Sequence, residues 1–229
     1  MVIRFPLLRT GILISASIAL AGCLGSSGGG VGGGGAGGGA GGGGAGTVAQ
    51  HDTRFDQISG MIPTTDMPTT GSANYAGSVK TILNEGSTPI GTLLGDIEMQ
   101  LDFGMAFADP ASQSVTGRVH NIRGTIGTED VTYEGELTTA AAAAPSTMAI
   151  TETSLGMPGV PDITTGAIMS NFGGDLTLDG TTGQANLMLG GAFSGPGGQA
   201  ASGPANGALW RPGGLSDYTV GGTWYIERQ

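Results

Sequence analysis

From Leu93 to Phe107 apolar and polar residues alternate. Leu93, Ile97, Met99, Leu101, Phe103, Met105 and Phe107 fall on one face, and Asp96, Glu98, Gln100 and Asp102 on the other. A period of two over that length predicts a half-buried strand, because successive strand side chains point to opposite faces. The same period returns in Ala73-Tyr75-Gly77-Val79, Val115-Gly117-Val119, Val131-Tyr133-Gly135-Leu137, Ala185-Leu187-Leu189-Gly191-Phe193 and Val220-Gly222-Trp224-Ile226. Asp109-Pro110, Asp179-Gly180 and Pro212-Gly213-Gly214 supply turn signals between the runs. The pattern predicts eight strands, at 72–79, 93–108, 113–121, 131–138, 166–178, 184–193, 205–211 and 219–227. Residues 139–162 read as a long loop, in which the Ala140–Ala144 run is stopped by Pro145.

One apolar face per strand, with evenly spaced hairpin turns, predicts an all-β fold: a meandering antiparallel sheet closed into an eight-stranded β-barrel over residues 61–229. A barrel of that size has room for side chains alone, and Gly77, Gly117, Gly135, Gly191 and Gly222 on the apolar faces suit its taper. The expected filling is Leu101, Phe103, Val119, Tyr133, Leu187, Phe193 and Trp224, which makes the interior a core. A membrane-spanning barrel has the reverse polarity, with polar residues inward and aromatic girdles outside. Its aromatics are too few here for girdles, at 5% of the chain.

The first 22 residues read as an export signal. Arg4 and Arg9 precede the apolar stretch Gly11–Leu20, which is too short to span a bilayer. The sequence Leu20-Ala21-Gly22-Cys23 resembles the bacterial lipobox, whose Cys thiol takes a diacylglycerol and whose freed amine is acylated after cleavage. Cys23 is the one cysteine of the chain. Burial of more than one acyl chain makes a stable anchor, at about 0.8 kcal/mol per CH₂. Leu24 after the Cys, in place of Asp, points to the outer membrane by the same resemblance. Residues 23–60 then read as the lipidated Cys and a disordered tether, since 25–46 hold 16 glycines and nothing that buries apolar area.

Composition narrows the function classes. Glycine makes up 47 of 229 residues, yet not every third residue as collagen requires. The net charge of −10 excludes nucleic acid as a partner, which needs a basic face. An acidic surface is not drawn to anionic lipid either, so membrane contact falls to the acyl anchor. One Cys and two His exclude a disulfide framework and most Cys/His metal sites. No cofactor is expected.

Several stretches together resemble the barrel domain of the transferrin-binding protein B family of bacterial lipoproteins. Pro68-Thr69-Thr70-Gly71-Ser72-Ala73-Asn74-Tyr75-Ala76-Gly77 is similar to its first strand. Gly95–Phe103, Ser114–Val119 and Tyr133–Leu137 are similar to the next three, and Gly191-Ala192-Phe193-Ser194-Gly195-Pro196 to a Gly-x-Phe-x-Gly-Pro signature near the family's end. The resemblance implies an eight-stranded barrel on a surface lipoprotein that binds a protein or an iron- or haem-related ligand. A TonB-dependent receptor or a surface-lipoprotein export factor encoded next door would favour that binding role. The chain has room for one barrel and no handle domain, and Gly197-Gly198 stand where the family has Asn-Ala, so no family contact residue carries over.

Catalysis finds no assembled motif. His51 falls in the tether, and His120 on the polar face of the third strand lacks a nucleophile elbow. Glu98, Asp102, Glu134 and Glu136 share a polar outer face and read as solvated charges ahead of a glycosidase pair. Asp175–Gly180 lacks the ligands of a calcium loop. The sequence therefore predicts a non-enzymatic binding module, with a passive envelope lipoprotein as the alternative. Loops on a rigid scaffold carry binding residues, which directs attention to 139–162 and 195–218 and to Met157, Leu209 and Trp210 as ligand contacts.

Overall fold

The computed structural model of the protein describes residues 46–159, 161–210 and 217–229. The export signal, Cys23 and the glycine-rich stretch through residue 45 lie outside them. The described residues form an all-β unit with two short α-helices. The strands are β1 (Ser72–Glu85), β2 (Thr88–Asp102), β3 (Val115–Ile126), β4 (Glu129–Thr132), β5 (Glu134–Gly135), β6 (Leu137–Thr138), β7 (Thr147–Thr153), β8 (Ile163–Leu178), β9 (Thr181–Ser194), β10 (Ala200–Leu209) and β11 (Tyr218–Arg228). The helices are α1 (Val48–Ser59) and α2 (Phe103–Ala108).

These strands make one antiparallel sheet in the order β2-β1-β11-β10-β9-β8-β6-β3-β4, and β2 pairs with β3 as well. The position between β3 and β8 is shared by short strands: β4 pairs β3, β6 pairs both, and β5 and β7 pair β8. Hairpin turns lie at one end of the sheet. Asp179 and Gly180 both have positive φ, 51° and 74°, the requirement of a two-residue type I′ turn between right-twisted strands. The other end, called here the helix end, carries α2, residues 61–67 and the short 3₁₀ turn Pro196–Gly198.

Alternation sets which side is buried. Ile97, Met99 and Leu101 are buried while Glu98 and Gln100 are exposed. All seven residues expected inside (Leu101, Phe103, Val119, Tyr133, Leu187, Phe193 and Trp224) belong to one core cluster. Large rings crowd toward the helix end, where Tyr75 meets Phe193 edge-on at 6.1 Å between centroids. Toward the turns the core is aliphatic apart from Trp210 and Tyr133, and a cavity of about 40 Å³ remains between Leu93, Val119, Leu137, Leu187 and Leu209. Gly77 and Gly222 do more than fit a taper: a β-carbon on either would overlap a backbone carbonyl of the adjoining strand, that of Tyr225 or Lys80.

Several expectations are corrected. The end of the expected tether is helical: Thr47 accepts a hydrogen bond from Gln50 N, and the Gln50 side chain accepts one from Thr47 N, a capping box that starts α1. The second strand stops at Asp102, because its carboxylate accepts from Met105 N at 2.9 Å and caps α2. Phe103–Phe107 are thus helical despite their alternation. The loop expected at 139–162 contains β7, whose Met148 and Ile150 are buried. Asp96 was expected outside and is buried beside a register shift in β2; Asn121 Nδ2 donates to its Oδ2 at 2.8 Å.

Candidate binding surface

Two of the three sequence-predicted contact residues are core. Leu209 ends β10 on its inward face, and Trp210 is 8% exposed. The Trp210 backbone N–H donates to Gln184 O at 3.2 Å, and its Nε1 donates to Leu176 O at 3.0 Å. A buried indole satisfies its one donor this way. Trp224 is core too, with Nε1 donating to Gly190 O at 3.1 Å. Met157, in the segment after β7, is 55% exposed. Cys23, the expected lipid attachment, lies outside the described residues.

Met157 has company at the helix end. The Asp102 cap that starts α2 turns Phe103 and Ala106 inward and leaves Met105 and Phe107 exposed. Residues 61–67 run across this end and are tied down by the backbone: Thr64 N donates to Phe193 O, Met67 N to Thr164 O, and Gly195 N to Ile62 O, at 2.9–3.1 Å. That strap leaves Ile62 81% exposed. Leu155 is exposed in the same segment as Met157. Five large apolar side chains therefore reach solvent from the helix end: Ile62, Met105, Phe107, Leu155 and Met157. Sequence alternation placed Met105 and Phe107 inside; the cap at Asp102 was the signal that reassigns them.

A second concave feature is polar. On the outer face of β1, β2, β3 and β6 a groove of about 630 Å³ is lined by Asn74, Glu98, Gln100, Arg118, Glu136 and Thr138 among others. Arg118 holds both carboxylates: its Nε donates to Glu98 Oε2 at 2.9 Å and its Nη1 to Glu136 Oε2 at 3.4 Å. The guanidinium hydrogen bond pulls the Glu98 carboxyl below its ordinary range, and Glu98 in turn raises Arg118. A glycosidase needs one carboxyl kept protonated beside one ionised; the Arg118 hydrogen bond favours the ionised form of Glu98. His120 Nε2 lies 3.5 Å from Glu98 Oε1 with no hydrogen bond of its own. Asp102 is spent on the α2 cap. These residues form an ion-paired outer wall.

Among the described residues no three His, Cys, Asp or Glu side chains gather as a metal set, and no helix is long and apolar enough to cross a membrane. Compared with known proteins, the chain matches no family model and no curated protein.

Proposed function

We propose that the chain is a lipid-anchored binding module of the outer membrane, exposed at the cell surface. In this reading an eight-stranded barrel is held by acylated Cys23 and captures a protein or an iron- or haem-related ligand. The barrel reading is supported by the pairing of β2 with both β1 and β3, and by the shared fourth position between β3 and β8, which makes eight positions around the sheet. The anchor reading is supported by Leu20-Ala21-Gly22-Cys23 behind a charged and apolar leader. The ligand class comes from the family resemblance, and a TonB-dependent receptor or surface-lipoprotein export factor is the companion such a module would work with.

The observation that carries the binding role is the group of exposed apolar side chains at the helix end. Of the nine large apolar side chains exposed among the described residues, Ile62, Met105, Phe107, Leu155 and Met157 stand there, and Val48, Ile82, Met169 and Met188 lie on α1 and the strands, whereas the interior is filled by core side chains. With no room inside for a sizeable ligand, capture falls to the surface, and exposed apolar groups mark interaction sites. The test is capture of host-fluid proteins, with haem and iron titrations beside it, by the acylated full chain. Binding that saturates supports the module; absence of binding to host proteins, haem and iron alike contradicts it.

A further inference from the structure

A histidine is buried outside both surfaces. His51, on α1, is 1% exposed. Its Nδ1 lies 2.7 Å from Ser78 Oγ of β1, and its Nε2 lies 3.0 Å from Thr223 Oγ1 of β11. A neutral imidazole donates from one nitrogen and accepts at the other, and each hydroxyl serves either role. The ring of Phe55 stacks at 6.3 Å and that of Tyr225 tilts against it at 5.3 Å. Only His51 and Ile58 of α1 are buried, so this helix rests on a small footing. Two ion pairs flank it, Asp52 with Lys80 of β1 and Arg54 with Glu227 of β11.

We propose that α1 is an acid-released latch: protonation of His51 undocks Val48–Ser59 from the wall formed by β1, β10 and β11 while the sheet stays folded. Burial is the main obstacle to a charge at His51. The Lys80 ammonium opposes it as well, and Asp52 favours it. The other titratable or charged residues of these elements include Arg54 and Asp56 of α1 and Tyr225, Glu227 and Arg228 of β11, and β10 carries none. Burial, Lys80 and Asp52 together hold the docked imidazole at about 4, against an ordinary 6.5.

The sign follows from linkage. The undocked helix binds a proton more readily than the docked one, so docking is unaffected above 6.5, weakens as pH falls below it, and stops weakening below about 4. A window of that width weakens docking by about tenfold per pH unit, or ~300-fold in all. The hydroxyl contacts are not the lever, since Ser78 and Thr223 also accept from an imidazolium; the lever is the buried charge.

The test is amide hydrogen exchange of the full chain, corrected for intrinsic rates, between pH 7 and 4. Protection of α1 amides is expected to fall by about 100-fold, while β2 amides such as Ile97 keep theirs. Unchanged α1 protection, or joint loss in α1 and β2, overturns the proposal. His51→Gln keeps hydrogen bonding without the charge and is expected to make α1 protection flat over the window. A His51→Gln fall equal to the wild-type fall assigns release to the ion pairs and overturns the proposal. Should His51→Gln be undocked at pH 7, the double variant Asp52→Asn, Glu227→Gln decides: retained acid release supports the latch, and its loss overturns it.

Discussion

Trp210 lies directly against the α-carbon of Gly183, so close that a β-carbon there would overlap the indole. The contact joins the end of β10 to β9 near the hairpin turns, and the Nε1 bond to Leu176 O extends it to β8. One ring thus ties three strands together. Trp210→Ala is expected to cost about 3–5 kcal/mol, as for other buried aromatic truncations. Gly183→Ala is expected to cost about 1–3 kcal/mol through overpacking. Thermal melts of both variants check this, and a partner bound at the helix end should still be captured by the folded fraction. A melting temperature unchanged by Trp210→Ala contradicts the assignment to the core.

Among the described residues the buried Tyr133 hydroxyl has no hydrogen-bond partner, whereas Tyr75 Oη donates to Gly198 O at 2.6 Å. An unpaired buried hydroxyl costs about 1–3 kcal/mol. Tyr133→Phe is therefore expected to leave the melting temperature equal or higher, and Tyr75→Phe to lower it. A lower melting temperature for Tyr133→Phe contradicts this reading.

Alkaline stability should fall for the same two residues. Burial pushes each phenol up to about 12 from 10. The unfolded chain loses these protons first, so their contribution is intact below pH 10 and is lost as pH rises toward 12. The expected loss is on the order of a few kcal/mol for the pair. Urea midpoints at pH 9 and 11 measure it, and Tyr133→Phe should remove about half of the slope.

Much of the sheet was legible in the sequence because one face is buried and strand side chains alternate. Met99, Leu101, Val119, Leu187 and Trp224 all sit where period two puts them. The misses have local causes. In α1 only His51 and Ile58 face inward, so its apolar stripe is too thin to stand out, and Thr47-x-x-Gln50 was the one readable sign. In α2 the alternation ran on unbroken, but a side-chain cap at Asp102 outweighed it. Met148 and Ile150 carried a strand signal inside an alanine- and proline-rich stretch that read as loop. Trp210 stands beside Pro212-Gly213-Gly214, and nothing local reveals that Gly183 leaves a seat for it. The candidate surface was legible at Met157 alone.

The anchor has its own test. Cys23→Ala is expected to abolish metabolic labelling with a clickable palmitate and to move the protein from the membrane to the soluble fraction. Label retained by the variant contradicts lipidation at Cys23.

The binding module is tested most directly by comparing the two ends of the sheet in one capture assay. Met105→Asp and Met157→Asp place charges at the helix end, and Ile82→Asp places one on β1 toward the turns, where Ile82 is also exposed. Helix-end variants that stay folded are expected to lose at least about tenfold in affinity, equivalent to 1.4 kcal/mol, while Ile82→Asp binds as the wild type does. Undiminished capture by the helix-end variants, or equal loss by Ile82→Asp, would contradict the account.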